Sequence, residues 1–123
     1  MQGQQNHKPP AEEEVCCGVI SRNWDAVRAY LEQDADLASL LPAVCEQARN
    51  EFGPDAELAL EVYRDPEVKD AYLTLYVRLK RYATDTMERL DRVGQRFTDK
   101  LEQVSGYLLL TTDFRGPGGT NGV

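Results

Sequence analysis

Histidine is almost missing from this sequence of 123 residues, which contains a single one, His7. His7 lies in a polar leader with little apolar area to bury, so the chain offers no imidazole held in a fixed position. This excludes catalytic triads with a histidine base and zinc sites with histidine ligands. The glycines form no phosphate-binding loop, because the cluster at 116–119 follows the last predicted strand and opens no helix.

Long hydrophobic runs are missing as well. No apolar segment approaches the roughly 18 to 20 residues that a membrane-spanning helix needs, and Met1–Pro10 lacks the hydrophobic stretch of a signal peptide. The three cysteines, Cys16, Cys17 and Cys45, are odd in number and include an adjacent pair, which fits neither a disulfide framework nor a CxxC metal site. We therefore predict a cytoplasmic protein with reduced thiols, no membrane contact and no cofactor.

Acidic residues outnumber basic ones, and the charge is unevenly distributed. The chain has 21 Asp and Glu against 14 Lys and Arg, a net charge of −7, and its 41% of hydrophobic residues suffice for one modest core. Residues 1–67 carry a net charge of −9 and residues 68–123 carry +2. The composition predicts a disordered acidic and polar tail over 1–14, a globular domain over 15–114 and a flexible Gly-rich tail over 115–123.

Apolar residues at helical spacing predict two helices in the first half of the domain. One stripe predicts a helix over 23–33, with Ser21 or Asn23 as its N-terminal cap. A second stripe predicts a longer helix, which Ser39 is placed to cap and Gly53 to end in a left-handed conformation.

Alternating apolar and polar residues predict two strands, over 57–64 and 71–80, that form a hairpin. A long helix is predicted over 84–104, with Gly94 permitting close approach to the sheet, and a third strand over 107–114. The order α-α-β-β-α-β predicts a small single α+β domain with a three-stranded, mainly antiparallel sheet packed against helices.

The polar face of the predicted hairpin is rich in tyrosine. Tyr63, Tyr72 and Tyr76 alternate with apolar residues, and Arg78 continues the same face. Tyrosine is enriched at recognition interfaces because it combines an apolar ring with a polar hydroxyl group. A helix could cover this face, or the tyrosines could only pair across strands. Our leading hypothesis is a non-catalytic interaction or regulatory module that binds a partner protein, or a second copy as a homodimer, through these residues.

Basic residues cluster at the end of the second strand and along the long helix. They are Lys80, Arg81, Arg89, Arg92 and Arg96. With Arg78 they could contact phosphates or an acidic partner, which makes nucleic-acid binding the first alternative. Acidic residues one turn away offer local ion pairs, and the net negative charge disfavours non-specific nucleic-acid binding. The sequence therefore favours a solvated, salt-bridged helix face.

Carboxylates near strand ends provide a second alternative. Asp65, Asp70 and Asp113 could hold a divalent cation in a small metal-dependent enzyme. The residues around Pro66 are first of all an ordinary turn signal, so we assign no metal ligand and no catalytic residue and rank catalysis below binding.

Overall fold

The three-dimensional structure, a computed structural model, describes residues 13–16, 18–65, 67 and 70–117. The two predicted tails lie mostly outside these residues and stay predictions. The described residues form nine elements, which in chain order are β1 (Glu13–Cys16), β2 (Val19–Ser21), α1 (Trp24–Gln33), α2 (Ala35–Phe52), β3 (Glu57–Asp65), β4 (Asp70–Arg78), α3 (Thr86–Gln95), α4 (Thr98–Gln103) and β5 (Leu108–Thr111).

The described strands form one mixed sheet in the order β1-β2-β3-β4-β5. β2 and β3 run parallel, as do β4 and β5, whereas β1 pairs antiparallel with β2 and β3 pairs antiparallel with β4. Two helices connect the strands of each parallel pair. The α+β class and the β3–β4 hairpin are confirmed. The three-stranded, mainly antiparallel sheet is wrong, since the sheet has five strands and two parallel pairs.

The two additional strands are short and carry little sequence signal. β1 begins with Glu13 and Glu14, which have the composition of a solvated tail, and β2 has only three residues. Three residues are too few to show an alternating pattern, so the sequence does not predict β2. These strands form through tertiary pairing, because Val19 lies opposite Leu58 in the neighbouring strand.

The first helix agrees with its prediction and the start of the second does not. The Asn23 side chain accepts a hydrogen bond from the Ala26 amide at 3.2 Å, which confirms this cap of α1. α2 begins at Ala35, four residues before Ser39, whose hydroxyl group donates to the Ala35 carbonyl. Ser39 is therefore not the cap. The end of α2 is confirmed, since Gly53 follows it at φ 96°.

The predicted long helix is two helices with a break at Arg96 and Phe97. The amides of these two residues donate to the carbonyls of Val93 and Gly94, three residues back, so the α-helical pattern is interrupted. The break buries Phe97 in the core. Gly94 does not provide a close approach, because a Cβ atom added there would meet no other atom within 4 Å.

The core lies between the helices and one face of the sheet. Leu58, Leu60, Leu73, Leu75 and Val77 point from the hairpin into it, which agrees with the predicted apolar face. The buried thiol of Cys45 lies in the same cluster. Since strand side chains alternate, the residues between these leucines point to the opposite face.

Candidate functional site

The opposite face of the sheet carries the predicted tyrosines. Tyr63 and Tyr72 lie opposite each other in the β3–β4 register, and Tyr76 lies between Ala59 and Thr111. The buried apolar residues of α1 and α2, together with Leu90 of α3, join the core on the other side. Among the described residues, no helix packs on the tyrosine side, and Tyr63 and Tyr72 pair across the two strands there.

Three tyrosine rings form a continuous ladder on this face. The ring centroids of Tyr63 and Tyr72 are 5.1 Å apart, and Tyr72 meets Tyr107 edge-on at 5.6 Å. Tyr63 and Tyr107 are 49% and 58% exposed. We define the tyrosine face as Tyr63, Tyr72, Tyr76 and Tyr107. Packed, exposed aromatic rings lose little side-chain entropy when a partner orders them.

Tyr107 is the residue of this face that sequence reasoning missed. It lies at the start of the third predicted strand, and the sequence does not show which strand that one pairs with. The Tyr107 backbone is held by Tyr30 of α1, whose hydroxyl group accepts a hydrogen bond from the Tyr107 amide at 2.9 Å. The Tyr107 carbonyl also accepts a bond from the Leu73 amide. These contacts fix the position of the ring beside Tyr72.

Tyr76 is a partly buried tyrosine of the face. Burial raises the pKa of its phenol above the ordinary value of 10, and the negative charges of Glu61 and Asp113 act in the same direction. Its neighbours on the same face, Ala59 across the strand pair and Thr74 two residues earlier in β4, are buried. The tyrosine face therefore includes buried residues beside Tyr76 and does not consist of isolated exposed side chains.

We expect the Tyr76 phenol to ionise above pH 10 in the folded chain. Because its folded-state pKa is raised, its contribution to stability is present below pH 10 and is lost as the pH rises above that value. An absorbance titration of phenolate in the wild type and in Tyr76→Phe isolates this group by difference. Denaturant should return the difference curve to the ordinary tyrosine value, and a difference curve centred below pH 10 in the folded chain would contradict the assignment.

Arg78 lies beneath the tyrosine face rather than on its surface. Its side chain is 1% exposed, and its guanidinium group donates to Glu57 at 3.2 Å and to Asp113 at 3.1 Å. The guanidinium carbon also lies 6.0 Å from the centre of the Tyr76 ring. Arg78 joins β4 to β3 and to the segment after β5. A direct contact between Arg78 and a partner, as predicted from the sequence, does not fit this burial.

The segment after β5 is fastened at the same end of the sheet. The Tyr82 hydroxyl group accepts a hydrogen bond from the Leu79 amide and donates to the Arg115 carbonyl. The Phe114 ring packs on Tyr82, with centroids 5.2 Å apart. Asp113, which binds Arg78, also accepts a bond from the Arg115 amide. These contacts hold the segment after β5 against the end of β4.

The predicted basic stripe is not one continuous surface. Arg89 is held by Glu51 at 2.7 Å and lies over the Phe52 ring, 4.8 Å from its centre. Lys80 lies 4.0 Å from Asp55, with both side chains exposed. The remaining members, Arg81, Arg92 and Arg96, are exposed. Arg78 is buried and Arg89 pairs with Glu51 of α2, so these two bases do not form one surface with the three exposed arginines.

The acidic residues of the enzyme alternative lie at two ends of the sheet. Asp65 and Asp70 pair at the hairpin end of the sheet, whereas Asp113 binds Arg78 at the opposite end. In the part of the chain that the structure describes, no group of three or more metal-ligating side chains forms a candidate metal site. The described helices also include none that is both long and apolar enough to span a membrane.

Comparison with protein-family models, with curated proteins and with solved structures gives no match to this chain.

Proposed function

We propose that this chain is a non-catalytic protein-interaction module that binds a partner protein, or a second copy of itself, through the tyrosine face. The observation that carries the proposal is the ladder of Tyr63, Tyr72 and Tyr107 on the side of the sheet opposite the described helices, in which the two outer rings are exposed. Aromatic residues at the centre of an interface often contribute most of its binding free energy.

The surroundings of the ladder support this role. Tyr76 and the partly buried Leu109 extend the aromatic surface across β4 and β5, and Glu61 provides a charged neighbour. The buried ion pairs of Arg78 join β3, β4 and the segment after β5, so the tyrosine face does not have to reorganise before it binds. A rigid apolar centre with a polar border is typical of protein-binding surfaces.

The test compares capture of a partner by the wild type and by variants on the two sides of the molecule. Tyr76→Glu places a charge in the tyrosine face, and Met87→Ser removes an exposed apolar side chain from α3 as the matched control. We expect the tagged wild type and Met87→Ser to capture a stoichiometric partner from native cells, or to dimerise. Tyr76→Glu should weaken this association by about 30-fold or more.

Circular dichroism and thermal melting must show that each variant is folded. A folded Tyr76→Glu variant that associates as tightly as the wild type would exclude the tyrosine face as the binding surface. Loss of association in Met87→Ser but not in Tyr76→Glu would show that the interface lies on the helix side of the sheet.

A further inference from the structure

The edge of the sheet at β5 combines two features that the tyrosine face does not explain. In the described residues, β5 pairs with β4 only, so its outer edge is open. The segment Tyr107–Thr112 contains no charged residue and no proline, although natural edge strands usually carry such residues against unwanted pairing. The opposite edge strand, β1, begins with two glutamates.

A cavity of about 220 Å³ lies directly beside this edge. Phe97 and Leu101 form its helix side, and Leu108 and Leu110 of β5 form its sheet side. Its lining is mainly apolar, with Gly94 on α3 leaving open space where another residue would place a side chain. The same two leucines therefore border both the open edge and the cavity.

The strand geometry directs backbone groups of these leucines outward. The Tyr107 carbonyl accepts a hydrogen bond from the Leu73 amide at 2.9 Å, so Tyr107 bonds towards β4. Backbone groups of a strand alternate in direction, and Leu109 and Thr111 consequently bond towards β4 as well. The N–H and C=O groups of Leu108 and Leu110 are left for the open edge.

We propose that β5 binds an extended segment of a partner protein, which adds a strand to the sheet and places an apolar side chain in the cavity beside Leu108 and Leu110. Main-chain hydrogen bonds supply affinity in this mode of recognition, and a pocket that receives alternate side chains supplies specificity. The proposed contacts use the outer backbone edge of β5 and the helix-side residues Leu108 and Leu110, whereas Tyr107 and Leu109 point to the tyrosine side. The inference therefore does not depend on the function proposed for the tyrosine face.

Charge defines the chemistry of the segment. Asp91 is the charged residue among the described residues that line the cavity. A segment with apolar residues at alternate positions and a lysine or arginine near one end would complement it. A second copy of β5 would not, because Tyr107–Thr112 has no base and the two copies would bring their Asp91 carboxylates into the same interface.

The test uses a display library of random peptides selected against the full chain. We expect enriched peptides to share alternating apolar residues and a basic residue. Gly94→Leu extends a side chain into the open space at the cavity and should weaken their binding by about tenfold or more, whereas the control Gly94→Ala adds one methyl group and should change it by less than about twofold. Asp91→Asn should selectively weaken peptides with the basic residue.

Hydrogen exchange gives a readout of strand addition itself. Bound peptide should protect the amides of Leu108 and Leu110, while the amides of Leu109 and Thr111 are protected with or without it. Tyr76→Glu should leave peptide binding unchanged, so failure of the proposed tyrosine face and failure of this groove are distinguishable.

Several results would overturn the proposal. They are a selection that enriches no peptide, binding that Gly94→Leu does not affect, and peptide binding without new protection at Leu108 and Leu110. Protection of these two amides in the free chain would also overturn it. In a dimer, such protection would mean that a second copy covers the edge; in a monomer, it would mean that a terminal segment of the same chain covers it.

Discussion

Replacing Arg78 by methionine is expected to cost about 3 kcal/mol of unfolding free energy, because two carboxylates lose the cation that neutralises them in a desolvated setting. Glu57 and Asp113 are only 19% and 23% exposed, so water replaces the guanidinium group incompletely. Methionine keeps much of the side-chain volume, and the loss therefore reports on charge and hydrogen bonding rather than on a cavity. Urea denaturation followed by circular dichroism measures the change.

Two companion variants make the Arg78 experiment decisive. Arg96→Met removes an exposed arginine from the helix side and should change the stability by less than about 0.5 kcal/mol. The triple variant Arg78→Met, Glu57→Gln, Asp113→Asn removes the unpaired charges and should recover part of the loss. If Arg78→Met were as stable as Arg96→Met, Arg78 would not be the centre that joins β3, β4 and the segment after β5.

Two consecutive residues of β4 should show opposite effects on stability and on binding. Leu75 is fully buried between Leu60 and Leu110, and Leu75→Ala is expected to cost about 3 kcal/mol while leaving the association of the folded protein unchanged. Tyr76→Ala removes a half-buried ring from the tyrosine face. It should cost about 1 kcal/mol of stability and weaken association by about 30-fold or more.

The comparison requires denaturation curves and association measurements on the same two proteins, with binding measured at a temperature where both are folded. The prediction is a crossed pattern, because the side chains of neighbouring strand residues point to opposite faces. Equal losses of association in the two variants would mean that binding depends on general stability and not on the face that carries Tyr76.

Local patterns were sufficient for much of the fold. The alternation in β3 and β4 predicted the hairpin and correctly separated the core leucines from the tyrosines. The cap at Asn23 and the glycine at position 53 have local causes, namely a side-chain acceptor and a positive φ, and both were predictable. Each of these features is encoded within a few consecutive residues.

Features that depend on distant residues could not be predicted. β2 is a strand because Val19 pairs with Leu58, about forty positions further along the chain. The break at Phe97 depends on the core that receives its ring. The burial of Arg78 depends on Asp113, which reaches it from the segment after β5. Tyr107 belongs to the tyrosine face because the parallel pairing of β4 and β5 places it beside Tyr72, and no local pattern encodes that pairing.

Oxidative footprinting of the tyrosine rings tests the central claim most directly, because it reports on the face itself in the wild-type chain. In the free chain, Tyr63 and Tyr107 should react readily, together with the exposed control residues Met87 and Phe114. On association, the account predicts that oxidation of Tyr63, Tyr72 and Tyr107 falls together while oxidation of Met87 and Phe114 is unchanged. Protection of Met87 with unaltered tyrosine oxidation would contradict it and place the interface on the helix side.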